Sequence, residues 1–487
     1  MIKNFKWLFL VSLAFTACNS DDDAAETSVA VTAGSANFSK YVALGDSFAA
    51  GYSDNALFKA GQENAYPNIL SQQFALAGGG NFLTPYMVDD IGGFSLGGAQ
   101  ILPQFPTRLY LNVATSTPVN VEGVSGTVLT DHLTGAYNNM GVPGAKSFHL
   151  VTPGYGTLNP YFGRFASSTS TTVLADAIAQ DPSFFSLWIG GNDVLAYATS
   201  GGTGTNQTGN LNPATYGSND ITDPTVFAST YAGLVNGLTA KGAKGVVANL
   251  PYINALPYFT TVPYNPIPLD APTVGLLSGA SGFGTYNAGI QYVLSLGLIT
   301  QAEATRRTIT FHVGAGNAVV MVDSYLTNLA AYGIPPYRQA TAEDLLVLPS
   351  RAFIGTTVGG NPTQINGVSV PLADNWVLSK EEIAEVKTAT DAYNVTIESI
   401  ANEKGLAFVN TKTILDQLLN GGIVANNFTL TSTYVTGGTF SLDGVHPSPR
   451  GYAFIANMFA EAVNAKYGST LPGVNVGNYR ILYPKQL

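Results

Sequence analysis

Three residues of this chain could act as a nucleophile, as the base that takes its proton and as the carboxylate that orients the base. Ser47 follows the short apolar run at residues 41–44, in the order expected of a strand, a tight turn and a helix start. Backbone N–H groups at a helix N-terminus favour negative charge, so a serine there could attack a carbonyl beside a stabilised oxyanion. Asp443 lies three residues before His446, where its carboxylate could hold one imidazole tautomer. Taken alone, these residues are equally typical of an N-cap serine and a loop ion pair.

Two Gly-rich segments could supply hydrogen-bond donors to the same reaction. Residues 139–144, Asn-Met-Gly-Val-Pro-Gly, are interpreted as a turn that aims a backbone N–H at a ligand. Residues 190–193, Gly-Gly-Asn-Asp, directly follow a predicted strand at 184–189 and offer the side-chain amide of Asn192. Ligands of open parallel sheets bind beyond the carboxyl ends of the strands. Ser47 and Asn192 are therefore expected at the same edge.

Together the segments resemble, in order, the four blocks of the SGNH, or GDSL-like, hydrolase family. The matching residues are Gly-Asp-Ser-Phe at 45–48, residues 139–144, Gly-Asn-Asp at 191–193 and Asp-x-x-His-Pro at 443–447. Phe48 stands where the motif that names the family has Leu. The resemblance implies a flavodoxin-like, three-layer α/β/α fold with a parallel sheet. It also implies hydrolysis of carboxylic esters through an acyl-enzyme.

The resemblance implies a role for each site residue. Ser47 would be the nucleophile, His446 the general base and later the acid, and Asp443 the residue that orients His446. The oxyanion hole would consist of the Ser47 N–H, the Gly144 N–H and the Asn192 side-chain amide. Whether the ester is that of a lipase or acylhydrolase, or that of a carbohydrate esterase, stays open.

Other motifs are weaker. Residues 93–97 match Gly-x-Ser-x-Gly, but no strand is predicted before Ser95 and no helix after it, as a nucleophile elbow requires. The remaining histidines, His132, His149 and His312, lack metal-ligand spacing. We predict no metal and no cofactor.

Short apolar strands alternating with amphipathic helices predict an α/β core with a parallel sheet covered on both faces. Further strands are predicted at 245–250 and 406–409. Asp223-Pro224 predicts one helix start, Ser379 with Glu382 forms the pattern of a capping box, and Ser448-Pro449 starts a last helix.

Long Gly-, Pro-, Thr- and Asn-rich stretches separate these units. The stretches at about 78–136, 151–175, 198–222 and 254–376 are read as insertions that carry hairpins or short helices, with strands at 308–313 and 318–322. The aromatic run at 251–268 begins where a strand ends. It could line a substrate site or simply pack an inserted loop onto the sheet.

The N-terminal residues resemble a lipoprotein signal. Lys3 and Lys6 precede an apolar run from residue 7 to 17, which is too short to span a bilayer. Phe-Thr-Ala-Cys at 15–18 resembles a bacterial lipobox, which implies a signal peptide at 1–17 and lipidation of Cys18. Residues 18–38 are predicted to be a flexible tether, and residues 39–487 the hydrolase domain. The expected partner is a lipid bilayer, with the protein outside the cytoplasm and anchored to a bacterial outer membrane; whether it faces the periplasm or the cell surface stays open.

The composition excludes one class of partner. With 21 Lys and Arg against 31 Asp and Glu in 487 residues, the chain has no basic surplus for nucleic acid. Only 11% of residues are charged, and many Tyr and long insertions would also suit a non-catalytic, glycan-binding or adhesion lipoprotein. A non-catalytic binding protein would have no need to retain all five site residues, Ser47, Gly144, Asn192, Asp443 and His446.

Overall fold

Five parallel strands form the central sheet of the structure, a computed structural model that describes residues 30–487. They are β1 (Tyr41–Gly45), β2 (Asn139–Gly141), β3 (Phe184–Trp188), β4 (Lys244–Ala248) and β5 (Ala407–Val409). Their order across the sheet is β2-β1-β3-β4-β5, and every neighbouring pair is parallel. This is the flavodoxin-like order, so the predicted fold class is confirmed.

Apolar sequence accounts for the central strands. All five residues of β1 and all five of β3 are buried, as expected of strands that are covered on both faces. Because β1 is paired with both β2 and β3, it lies inside the sheet rather than at an edge. The four strands predicted from apolar runs are found, each within two residues of its predicted ends.

Helices cover both faces of the sheet and give the three layers. Eight of them frame the sheet: α1 (Ser47–Ala50), α2 (Tyr66–Leu76), α3 (Val173–Ala179), α4 (Asn192–Thr199), α5 (Pro224–Thr239), α6 (Lys380–Lys404), α7 (Thr411–Leu419) and α8 (Pro449–Tyr467). Helices α2 and α8 pack together on one face, while α3, α5 and α6 pack on the other.

The predicted helix starts are confirmed by their caps. The Asp223 carboxylate accepts hydrogen bonds from the backbone N–H groups of Thr225 and Val226 at the start of α5. At the start of α6, the Ser379 N–H donates to the Glu382 carboxylate at 2.7 Å, and the Glu382 N–H donates back to the Ser379 hydroxyl. Each cap satisfies donors that the first helical turn leaves free.

One segment differs from its prediction. Residues 139–144 were expected to form a turn only, but Asn139–Gly141 is the edge strand β2, and the turn is confined to 142–144. A Cβ at Gly141 would lie 2.3 Å from the backbone N of Ala50, so only glycine lets α1 pass this close to the strand. The strand is too short, and its residues have too little β propensity, to be recognised by pattern.

The segments between the core elements carry short hairpins and helices. The strands pair in two-stranded antiparallel sheets, some of them hairpins: Ser95–Leu96 with Ala99–Gln100, Leu109–Asn112 with Thr117–Asn120, Ile267–Leu269 with Gly314–Asn317, Val320–Val322 with Tyr337–Gln339, Leu345–Leu346 with Val377–Leu378, Thr357–Val358 with Asn361–Ile365, and Ile423–Ala425 with Phe428–Leu430. The additional helices are Lys59–Glu63, Pro160–Gly163, Pro257–Thr260, Ala271–Ser278, Phe283–Ser295, Gln301–Arg307 and Ser350–Phe353. Residues 254–376 pack around a hydrophobic cluster of their own, which includes Phe283, Met321 and Leu372.

The prediction of a strand at 308–313 is wrong. Backbone N–H groups in this segment donate to side chains rather than to a neighbouring strand: the Ile309 N–H donates to Asn287, and the His312 N–H donates to Asn317. The strand follows directly after the predicted one, at Gly314–Asn317. The strand predicted at 318–322 is present in part, as Val320–Val322.

The predicted signal peptide at 1–17 and Cys18 lie outside the described residues. The tether was predicted to extend to residue 38, but its last part packs onto the domain: Phe38 is buried, and its ring stacks on Phe74 at 4.0 Å. The compact unit accordingly begins at Val31 and runs to Leu487. Of the helices between residues 30 and 487, none has the length and apolar character needed to cross a bilayer.

Candidate active site

The site lies at the carboxyl edge of the sheet, where the chain direction across the sheet reverses. Strand β1 connects to β2 on one side and β3 lies on the other, so a crevice opens beyond their ends. Ser47 follows β1, Gly144 follows β2, and Asn192 follows β3. The topology thus brings together three segments that are far apart in the sequence.

A hydrogen-bonded relay joins Ser47 to the loop before α8. His446 Nε2 lies 2.8 Å from Ser47 Oγ, and His446 Nδ1 lies 2.9 Å from Asp443 Oδ2. Because Nδ1 faces a carboxylate, the neutral ring carries its proton there, and Nε2 is left to accept the Ser47 hydroxyl proton. The three residues singled out by spacing are therefore in direct contact.

The Asp443 carboxylate is held ionised although it is buried. Burial raises the pKa of Asp443, but the neighbouring His446 and hydrogen bonds from Asn55 and Val445 outweigh it, so the pKa lies below its ordinary value. Oδ1 accepts from the N–H of Val445 at 2.9 Å and from the N–H of His446 at 2.8 Å. An ionised carboxylate at this position stabilises an imidazolium.

The loop at residues 53–55 fixes the Asp443 loop from the opposite side. The Asn55 N–H donates to Asp443 Oδ2 at 3.0 Å, and the Asp54 carboxylate accepts from the Leu442 N–H at 2.8 Å. Asp54 and Asn55 have φ values of 50° and 63°, a left-handed backbone conformation that residues other than glycine rarely adopt. Two consecutive strained residues thus support the carboxylate of the relay.

Two carboxylic acids beside the relay are buried. Burial raises the pKa of Asp54 to about 7, with Asp443 contributing in the same direction, and one Asp54 oxygen has no hydrogen-bond partner among the described residues. Burial also raises the pKa of Asp46 to about 7, although its carboxylate caps α1 by accepting from the Phe48 N–H at 3.0 Å. Burial thus shifts the pKa of both carboxyl groups toward neutral pH.

Donors for a developing oxyanion surround Ser47. Within residues 30–487 neither the Ser47 N–H nor the Gly144 N–H donates a hydrogen bond, so both are available to a ligand. The Asn192 amide donates to the Ala145 carbonyl at 3.0 Å, which holds this side chain beside the Gly144 turn. Gly144 has a φ of 77°, a left-handed conformation.

A buried carboxylate ties the two donor segments together. Asp193, at the start of α4, accepts from the Ser147 hydroxyl at 2.7 Å and from the Ser147 N–H at 2.8 Å. Burial raises the pKa of Asp193, and the two bonds from Ser147 oppose that shift. Asp193 thus sets the distance between the Asn192 amide and the turn that carries Gly144.

Aromatic rings flank the imidazole. The ring centre of Tyr52 lies 4.6 Å from that of His446, and the ring centre of Phe48 lies 5.3 Å away on a tilted plane. The Tyr52 hydroxyl donates a hydrogen bond to the Asn55 carbonyl at 2.8 Å. The ring of His446 is therefore held in position by packing as well as by Asp443.

These groups open into a cleft of about 410 Å³. Its lining combines the relay and donor residues with side chains from two insertions: Ser47, Tyr52, Asn55, Gln104, Phe105, Pro143, Gly144, Leu158, Asn159, Pro160, Tyr161, Asn192 and His446. None of the residues at 251–268 is among them. Tyr258 donates its N–H to the Gly444 carbonyl, and Pro251 and Leu256 line a separate apolar cavity with Phe48 and Pro447. The aromatic run thus packs against the loop of Asp443 outside this cleft.

The weaker motifs do not join the site. Ser95 is buried in the hairpin Ser95–Leu96, where its hydroxyl lies 3.4 Å from the Thr127 carbonyl. His132 and His312 bind backbone carbonyls, and His149 accepts from the Lys146 N–H. Between residues 30 and 487, no group of three or more His, Cys, Asp or Glu residues is arranged to hold a metal ion.

Sequence reasoning missed the supporting residues. Asn55 contacts Asp443 through a backbone N–H, which leaves no signature in residue type. Gln104, Phe105 and Tyr161 come from insertions, which have no motif and no periodic pattern. Asp193 lies within a recognised block, and its acidic side chain at a helix start is the one signal that pointed to a structural role.

Comparisons with known proteins find similar structures but no similar sequence. No family model matches the chain, and no curated protein matches it. The acetylxylan esterase Axe2 from Geobacillus stearothermophilus has 11% identity and a TM-score of 0.32, over 89% of this chain and 97% of that one. An extracellular lipase from Streptomyces rimosus has 10% identity and a TM-score of 0.29, over 88% of this chain and 98% of that one.

Proposed function

We propose that the protein is a serine hydrolase that cleaves carboxylic esters through an acyl-enzyme. The observation that carries the proposal is the relay from Ser47 through His446 to Asp443, with distances of 2.8 and 2.9 Å, beside two unoccupied backbone N–H groups. A nucleophile, a base within hydrogen-bond reach and a group that orients the base are the parts that acyl transfer needs. The resemblance of the sequence blocks to SGNH hydrolases supports the same chemistry.

In the first half of the reaction, Ser47 Oγ attacks the ester carbonyl carbon and its proton passes to His446 Nε2. The carbonyl oxygen becomes an oxyanion that accepts from the Ser47 N–H, the Gly144 N–H and the Asn192 amide. Asp443 stabilises the imidazolium without taking the proton. When the tetrahedral intermediate collapses, His446 returns the proton to the leaving alcohol oxygen, and the acyl group stays on Ser47.

In the second half, water replaces the alcohol. His446 takes a proton from the water as its oxygen attacks the acyl carbon, and the same three donors bind the second oxyanion. Collapse breaks the bond to Ser47 Oγ, which regains its proton from His446, and the carboxylic acid leaves. Both halves require His446 Nε2 to be free to accept a proton at the start.

The proposal is tested by comparing two serine variants in hydrolysis of p-nitrophenyl acetate. Ser47→Ala is expected to lose at least about 10³-fold in kcat/KM, because nucleophile removal disables the whole relay. Ser95→Ala is the matched control, since Ser95 is buried in the rejected Gly-x-Ser-x-Gly motif, and it is expected to keep full activity. Equal activity of wild type and Ser47→Ala would refute the proposal.

We further propose that Cys18 is lipidated and anchors the domain to the outer side of a bacterial membrane. The support is the sequence alone: an apolar run with preceding lysines leads into Phe-Thr-Ala-Cys at 15–18. More than one acyl chain is needed for stable attachment, as lipoprotein modification provides. Metabolic labelling with a palmitate analogue is expected to mark the wild type and not Cys18→Ser, and equal labelling of both would contradict the anchor.

A further inference from the structure

Two insertions supply the part of the cleft that lies beyond the reacting groups. Gln104 and Phe105 come from the segment at 78–136, and Leu158 to Tyr161 come from the segment at 151–175. These residues line the same cleft as Ser47 and His446 and form no hydrogen bond with the relay. Their chemistry therefore bears on which ester reaches Ser47, and the inference below rests on the proposed function.

The first property of this region is a set of fixed aromatic surfaces. The rings of Phe105 and Tyr161 meet edge to face at 5.7 Å, and both pack against Phe94 at 5.0 and 4.9 Å. The Gln100 amide donates to the Phe105 carbonyl at 2.6 Å and holds that backbone. Rigid rings lose little entropy when they cover an apolar surface, such as the C–H face of a pyranose.

The second property is a set of polar groups without partners. Gln104 and Asn55 are exposed, and their side-chain amides form no hydrogen bond with any residue from 30 to 487. The Tyr161 hydroxyl forms none within that range either. An amide offers both donors and an acceptor, which is the pairing that a sugar hydroxyl requires.

The third property is the lack of charge. Among the residues that the structure describes, none of those lining the cleft is Lys, Arg, Asp or Glu. Phosphate and carboxylate groups are usually bound by Arg or Lys, so the lining favours neither a phospholipid nor an acidic glycan. An uncharged polyol meets no unfavourable group here.

A long acyl chain finds no deep apolar cavity beside Ser47. A second cavity, of about 60 Å³, is apolar and has Phe48 and Pro447 in its lining, but none of its lining residues also lines the cleft. This cavity is too small for a long acyl chain, which would have to lie in the open cleft. This geometry favours a short acyl group with a bulky alcohol.

We propose that Gln104, Phe105 and Tyr161 form a subsite for the alcohol half of the ester, and that this half is a neutral carbohydrate carrying a short acyl group such as acetyl. The ring of Phe105, backed by the buried ring of Tyr161, covers a sugar face, while the Gln104 amide and the Tyr161 hydroxyl bind sugar hydroxyls. Asn55 provides a second amide beside the relay. The subsite adds binding energy only when the alcohol is large enough to reach it.

The test compares one substrate that reaches the subsite with one that does not. Wild type, Gln104→Ala and Phe105→Ala are measured on acetylated neutral xylo-oligosaccharides and on p-nitrophenyl acetate. Each variant is expected to lose roughly three- to tenfold in kcat/KM on the oligosaccharide, through KM, because it removes one contact. On p-nitrophenyl acetate both are expected to stay within about twofold of wild type. Gln301→Ala, on an exposed helix start outside the cleft, is the matched control.

The outcomes separate the two proposals. If neither substrate is hydrolysed, the proposed function fails and the subsite fails with it. If p-nitrophenyl acetate is hydrolysed but both variants match wild type on the oligosaccharide, the subsite alone is refuted. Faster hydrolysis of p-nitrophenyl palmitate than of p-nitrophenyl acetate, or of acetylated polygalacturonate than of the neutral oligosaccharide, at equal ester concentration, also overturns it. Exposed Gln104 is not expected to affect folding, so its variant keeps the test valid if Phe105→Ala unfolds.

Discussion

At the scale of single residues, the site is built from groups that are each held by more than one contact. Asp443 accepts three backbone N–H groups besides the imidazole, from Asn55, Val445 and His446. This network keeps the carboxylate ionised in a buried position. Ser47, in contrast, is held by its place at the start of α1, and its N–H stays free for the substrate.

The Asn192 side chain gives a prediction at this scale. Asn192→Ala is expected to lower kcat by about 10² to 10³, because one donor to the oxyanion disappears. KM should change little, since the oxyanion exists only in the transition state. Steady-state kinetics on p-nitrophenyl acetate measure both. Exposed Asn236→Ala, in α5, is the control for a generic loss of an amide, and an effect of Asn192→Ala confined to KM would contradict the role.

At the scale of elements, the close approach of α1 and β2 positions the nucleophile. Gly141 in β2 faces the backbone of Ala49 and Ala50 one turn after Ser47. The sheet order then places the Gly144 turn on one side of Ser47 and Asn192 on the other. A displacement of α1 by a fraction of an ångström would alter the distance from Ser47 Oγ to His446.

A glycine substitution tests this packing. Gly141→Ala is expected to destabilise the fold by about 1 to 3 kcal/mol through overpacking and to lower kcat by moving Ser47. In Gly233→Ala, inside α5, the added Cβ meets no atom within 4 Å. That variant is expected to gain up to about 1 kcal/mol from helix propensity and to keep full activity. Urea denaturation and kinetics measure both; equal stability and activity of Gly141→Ala and wild type would show that the contact does not position α1.

The amino-acid sequence predicts some of these elements and not others. The strands and capped helices of the core were recognised because burial on both faces and capping chemistry leave local patterns, as at residues 184–189 and at Ser379. Strand β2 was not recognised, because its identity depends on pairing with β1 rather than on its own three residues. The strand expected at 308–313 failed because side chains of Asn287 and Asn317 replaced the strand partner.

At the scale of the whole molecule, a conventional core is extended by insertions with separate roles. The segment at 254–376 has its own hydrophobic cluster and a buried ion pair between Arg338 and Asp344 at 2.6 Å. The segments at 78–136 and 151–175 instead line the cleft. The relay residues could be predicted from sequence because their types and order are specific, whereas the cleft wall could not, since it depends on how long loops fold back.

Buried Asp54 makes the stability of the molecule depend on pH. Its pKa of about 7 in the folded state lies above that of an unfolded aspartate. The folded state therefore binds the proton more tightly, and the stability from Asp54 is lost as pH rises from about 4 through about 7. Asp54→Asn cannot ionise and keeps the acceptor for Leu442. The unfolding free energy of the variant relative to wild type is expected to increase between pH 4.5 and 8, and a constant difference would contradict the assignment.

The central claim is that Ser47 is an activated nucleophile. Its most direct test is labelling of the intact chain with a fluorophosphonate, followed by mass measurement and peptide mapping. The account predicts a single adduct on Ser47, much slower labelling of His446→Ala because the base is missing, and no adduct on Ser47→Ala. A wild-type protein that stays unlabelled, or that is labelled on a different serine, would contradict the account.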